Sequence, residues 1–160
     1  WYWIIGGILF GVLIAFLTWY FKKRKPNTLA KPFQTNTSPY EEAMKELAGL
    51  EDYNLSLPSE IRIVHTKLAG ILKRYLSRKQ NNNYQNKTTG DVLIQLSDHY
   101  PDKDMLAKAA SSLRCADAVK FAKYLPPAGE SEECIRLTRA VINIIHQQTR
   151  EGQAQPVNPK

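Results

Sequence analysis

The chain has 160 residues, 22 of them basic and 15 acidic, for a formal net charge of +7 at pH 7. Five of the basic residues, Lys22, Lys23, Arg24, Lys25 and Lys31, crowd behind one apolar run, which leaves 17 basic against 15 acidic elsewhere. So balanced a remainder lacks the basic face that displaces counterions from phosphates, and nucleic acid is excluded as a partner class.

Residues 1–21 read WYWIIGGILFGVLIAFLTWYF without a charged side chain, and about 20 such residues cross a bilayer as a helix. Trp1, Tyr2 and Trp3 at one end and Trp19 and Tyr20 at the other match the aromatic belts of the two interfaces. The spacing predicts a transmembrane helix over 1–21. A cleaved leader carries its positive charges before the apolar run, whereas Lys22, Lys23, Arg24 and Lys25 follow it. The run therefore reads as an anchor in contact with membrane lipid over residues 1–25. Lys and Arg beside a span stay on the cytoplasmic side, so a single crossing is expected, with the rest of the chain in the cytoplasm. Gly7 and Gly11 form a GxxxG pattern, a candidate homodimer contact within the span. The first residue already sits at the expected interface without an initiator Met, which leaves open a longer precursor with an outer domain.

Residues 22–38 read as a basic juxtamembrane linker, with Pro26 and Pro32 and no sustained periodicity. A helical domain is expected over 39–148. Ser38, Pro39 and Glu41 make a helix start with a capping box, and Ala43, Leu47 and Leu50 share a face behind it. After the loop EDYNLSL, Pro58 opens a second helix whose Ile61, Val64, Leu68, Ile71, Leu72 and Tyr75 recur at three and four. Arg62, Lys67, Lys73, Arg74 and Arg78 line its other face, a basic stripe that is either solvated or offered to an acidic partner. The Asn-rich run QNNNYQNK ends that helix.

Thr88 and Asp91 predict a second capping box and a short third helix carrying Val92, Leu93 and Leu96. A fourth starts near Pro101 or Asp102 and turns Met105, Leu106, Ala109, Leu113 and Ala116 inward. It runs into ADAVKFAKYLPP. There Asp117 and Lys120, three apart, can form an ion pair, close the last turn, or serve as an activated lysine. Lys123 and Tyr124 extend a candidate docking segment that Pro126 and Pro127 terminate, and Phe121 is expected to pack on the final helix. That helix is expected from about Ser131 to Gln148, with Cys134, Leu137, Val141, Ile144 and Ile145 on one face and a disordered tail over 149–160. No run alternates as a strand does, so the fold class is all-α: an N-terminal transmembrane helix followed by a soluble bundle of about five helices.

No Walker, GxSxG or GxGxxG pattern is present, so no cofactor is expected. His65, His99 and His146 lack metal-ligand spacing, and Cys115 and Cys134 read as small buried side chains, reduced in a cytoplasmic setting.

The succession of span, basic stop, PYEEAMKELAGL, IRIVHTKLAGILKRYLSRK, KTTGDVLIQL and ADAVKFAKYLPP resembles the cytoplasmic tail of BatD-like proteins and related small membrane proteins of bacterial Bat (aerotolerance) operons. The positions that carry the likeness are Tyr75 and Leu76, Thr88 and Thr89, and Asp117, Lys120, Phe121 and Ala122. The chain departs from those tails in its Asn-rich loop and in His65, where they have an aromatic. The resemblance implies a non-enzymatic scaffold that recruits a MoxR-type AAA+ ATPase and von Willebrand factor A domain proteins. Two other readings stand beside it: a signal-transmitting cytoplasmic domain of a larger membrane protein, and a small membrane-bound enzyme using Asp117 or Lys120.

Overall fold

A computed structural model describes residues 37–154. The anchor expected over 1–21, the charges Lys22, Lys23, Arg24 and Lys25, the Gly7 and Gly11 pair and the linker as far as Asn36 lie outside those residues, as do positions 155–160.

Five helices make up the described region, with no strand among its residues: α1 (Pro39–Ala48), α2 (Pro58–Gln80), α3 (Thr89–His99), α4 (Lys103–Phe121) and α5 (Ala128–Ala154). None of them is long and apolar enough to cross a membrane. Their starts follow from local chemistry. Ser38 accepts from the Glu41 amide while Glu41 reaches back to the Ser38 amide. Thr88 and Asp91 repeat that reciprocal bond at α3, and Asp102 accepts from the Asp104 and Met105 amides at α4. Each cap satisfies backbone donors that the first turn leaves without partners. At the end of α2, Asn81 adopts the left-handed conformation, φ 49°, which Asn tolerates better than most residues.

α4 is the hub, packing on α5, α2 and α3, while α2 also meets α1 and α5. The core stacks Leu47 and Leu50 from α1 and its turn, Val64, Leu68, Leu72 and Leu76 from α2, Val92 and Leu96 from α3, Met105, Ala109 and Leu113 from α4, and Val141, Ile142 and Ile145 from α5. Burying one such side chain completely contributes about 1.5–3 kcal/mol. Between α4 and α5, Ser112 and Thr138 are buried and joined at 2.5 Å, and Thr138 donates back to the Cys134 carbonyl at 3.0 Å. This shared polar contact fixes the register of the two helices just beside Cys134.

In α5 and in the Asn-rich connection the structure departs from the sequence reading. α5 begins at Ala128 rather than Ser131, because the Pro127 carbonyl accepts from both the Glu130 and Ser131 amides and so closes the first turn early. It also continues to Ala154, past the tail boundary expected at 149. Its buried face is turned toward Ile135, Thr138 and Ile142, leaving Leu137 and Ile144 half-buried. Finally, Tyr84 in the Asn-rich connection is fully buried, its amide donating to Ser77 Oγ at 2.9 Å and its hydroxyl to Gln80. This connection is a packed element of the core.

Candidate functional site

The basic stripe on α2 is largely engaged within the domain. Arg74 pairs with Glu46 and Arg78 with Glu42, both on α1, and Arg78 also donates to the Thr37 carbonyl at 3.0 Å. Lys67 donates to the Tyr53 hydroxyl at 2.5 Å, and Lys73 to the Lys87 carbonyl at 2.7 Å. Only Arg62 of the five has neither a hydrogen bond nor an ion pair within the described residues. The stripe therefore fastens α1 and the flanking loops to α2, and at most one of its cations is uncommitted.

The α4–α5 connection is different. Asp117 accepts from Thr89 Oγ1 at 2.5 Å, which ties the end of α4 to the start of α3. Its expected partner Lys120 instead lies over the Phe121 ring, 5.0 Å from the centroid. With the carboxylate committed to Thr89, the two residues do not form the ion pair that their spacing allows, and the activated-lysine reading loses its geometry. Phe121, expected against the final helix, is 72% exposed, because it lies two residues past Val119 and so on the side of α4 opposite the buried Ala109, Leu113, Ala116 and Val119.

After Phe121 the backbone folds back tightly. Both the Ala122 and Tyr124 amides return to the Ala118 carbonyl, at 2.9 and 3.2 Å. Lys123 between them takes φ 56°, a left-handed conformation that costs an ordinary residue on the order of 1–2 kcal/mol. Pro126 is buried and anchors the segment. The result is a rigid elbow that presents Phe121, Tyr124 and Leu125, with Lys120 and Lys123 alongside, all exposed.

Directly beneath the elbow three chemically active side chains meet. His65 from α2, Cys115 from α4 and Cys134 from α5 bring their ligand atoms within 4.8 Å of one another. His65 and Cys134 are buried and Cys115 is half-buried. Cys115 Sγ lies 3.9 Å from His65 Nδ1 and 3.8 Å from Glu130 Oε1, while the other imidazole nitrogen, Nε2, is 3.2 Å from the buried Ser131 Oγ. Burial holds the His65 pKa below its ordinary value, and the Glu130 charge offsets part of that. Burial also pushes both thiols up, so neither is a free thiolate nucleophile at neutral pH. The expectation of small buried cysteines describes their burial. It misses their meeting with His65, since the three ligands come from three helices and leave no local spacing pattern.

A shallow groove of about 560 Å³ runs between the α1–α2 loop and α5, lined by Glu51, Tyr53, Leu55, Glu132, Arg136 and Arg139. The Arg139–Glu51 ion pair, 2.5 Å, spans it. No protein-family model, curated protein or solved structure matches this chain.

Proposed function

We propose that the chain is a membrane-anchored, non-enzymatic interaction module whose elbow, Phe121 to Leu125, is its docking surface. The observation that carries this reading is the elbow's construction: aromatic and aliphatic side chains exposed on a backbone held rigid by two amides on one carbonyl, a left-handed Lys123 and a buried proline. Rigid aromatic anchors concentrate binding energy in interfaces because little entropy is lost when they are covered. Lys120 and Lys123 beside them favour an acidic partner surface. The resemblance to the tails of Bat-operon proteins supplies the partner class, a MoxR-type AAA+ ATPase together with von Willebrand factor A domain proteins at the bacterial inner membrane. The uncharged run over 1–21 supports the anchor.

The test is affinity purification of the full chain from its native membrane in mild detergent, with mass spectrometry of what stays bound. Enrichment of either partner class over a control carrying residues 1–38 is the expected result, with loss of that enrichment in a Phe121→Ala/Leu125→Ala variant. Enrichment that survives in the variant would move docking off the elbow, and enrichment of neither class would sink the scaffold reading.

A further inference from the structure

We propose that His65, Cys115 and Cys134 form a binding site for a thiophilic divalent cation of the zinc class, with Glu130 as its fourth ligand. This rests on the buried cluster alone and stands independently of docking at the elbow.

The geometry comes first. Zn–S bonds of about 2.3 Å and Zn–N bonds of about 2.0–2.1 Å place neighbouring ligands of a tetrahedral ion roughly 3.5–3.8 Å apart. Cys115 Sγ and His65 Nδ1 are already 3.9 Å apart, Cys115 Sγ and Glu130 Oε1 are 3.8 Å apart, and all three nitrogen and sulfur ligand atoms fall within 4.8 Å. Side-chain rotation has to close a few tenths of an ångström around Cys115 and up to roughly 1 Å elsewhere in the trio, and Glu130, which approaches Cys115 alone, joins from the rim of the cluster.

The imidazole is also correctly posed. With Nε2–H donating to Ser131 Oγ, the Nδ1 lone pair faces Cys115 Sγ. A hydrogen bond on the ring nitrogen that does not hold the metal fixes the tautomer of a metal-ligating histidine. Cys134 is held in place by its own carbonyl, which accepts from Thr138 at 3.0 Å and has the Ser112 hydroxyl 3.3 Å away.

A divalent ion, two thiolates and a neutral imidazole sum to zero, and the Glu130 carboxylate brings the four-ligand centre to a single negative charge in place of an isolated buried dication. On binding, both thiol protons pass to solvent and the sulfur lone pairs bond to the metal, with no change of oxidation state. The negative charge that Glu130 adds falls in the first turn of α5, where the helix dipole favours it. Ligands from α2, α4 and α5 would tie together the three longest helices of the bundle.

The experiment uses the full chain in detergent, reduced with a phosphine and titrated with Co²⁺ and then Zn²⁺. Thiolate-to-cobalt charge-transfer absorption, saturating at one ion per chain and bleached by Zn²⁺, is the expected result. Zn²⁺ should also raise the thermal midpoint of the wild type and leave that of Cys115→Ala/Cys134→Ala unchanged, a pair of substitutions small enough to preserve packing. Ser131→Ala should weaken Zn²⁺ affinity about 10–100-fold, the usual effect of removing the hydrogen-bond partner that orients a ligating imidazole. Cobalt bands without the thiolate transition, or uptake that persists in the double cysteine variant, would place the ion on the surface and overturn the proposal. So would a reduced protein that takes up no metal and forms a Cys115–Cys134 disulfide on air exposure.

Discussion

Tyr124 donates its hydroxyl to Glu130 Oε2 at 2.7 Å, while Oε1 of the same carboxylate lies 3.8 Å from Cys115 Sγ. One side chain thus joins the exposed elbow to the buried cysteine cluster. Tyr124→Phe keeps the ring and removes the bond. The bundle should stay folded while amide exchange at Ala122 and Tyr124, the two amides bonded to the Ala118 carbonyl, speeds up; unchanged exchange would mean that the hydroxyl does not hold the elbow.

Phe121→Ala should leave the unfolding free energy within about 0.5 kcal/mol of wild type, as is usual for a substitution at an exposed site. Leu72→Ala, at a fully buried position on α2, should cost about 2–5 kcal/mol. Chemical denaturation of the two variants side by side measures the contrast. A loss of several kcal/mol for Phe121→Ala would bury the ring and remove it from the docking surface.

Lys123→Gly relieves the left-handed backbone at the elbow. Thermal unfolding should show a gain of up to about 1 kcal/mol, the strain removed less the extra freedom glycine has in the unfolded chain. A destabilised Lys123→Gly protein would mean that the lysine side chain makes a contact worth more than the strain.

The legible parts of the fold were those written in short stretches of sequence. Ser38 with Glu41 and Thr88 with Asp91 announce helix starts because a capping box needs only three intervening bonds of chain, and the spacing of Ile61, Val64, Leu68 and Leu72 announces a buried face. What stayed hidden depends on which helix lies against which. Phe121 reads as a core residue by its type, but it lies out of phase with the buried Met105, Ala109, Leu113, Ala116 and Val119, on the opposite side of α4. Tyr84 looks like a loop residue until the packing of α2 leaves a space for its ring. His65, Cys115 and Cys134 are 50 and 19 positions apart in succession, and only the meeting of α2, α4 and α5 makes them a group.

The α3 cap predicts a pH dependence. Hydrogen bonds from the Thr88 hydroxyl and amide hold the Asp91 carboxyl below the usual carboxylate range. A carboxylate with a lowered folded pKa binds its proton more readily in the unfolded chain, so its contribution is present above about pH 4 and is lost as pH falls through the lowered value. Asp91→Asn should flatten that part of the acid-unfolding profile. An identical profile for both proteins would show that the cap does not report on folding.

Arg74→Glu sets two like charges together where Arg74 now pairs with Glu46. A loss of up to about 1 kcal/mol is expected for this partly exposed contact, and the exchange Arg74→Glu/Glu46→Arg should recover most of it. Failure of the exchange to recover stability would assign the arginine some role other than fastening α1.

Tyr40, two residues beyond the first cap, stacks on His146 with centroids 4.0 Å apart and donates to Asn143 at 2.8 Å. Those two partners lie 15 and 18 residues along α5 from Ala128, where the elbow ends, and at 1.5 Å per residue this is a separation of roughly 25 Å. The start of α1 therefore lies at one pole of the bundle and the elbow at the other, so α5 works as a strut whose length sets the distance between Tyr40 and the Phe121–Leu125 segment.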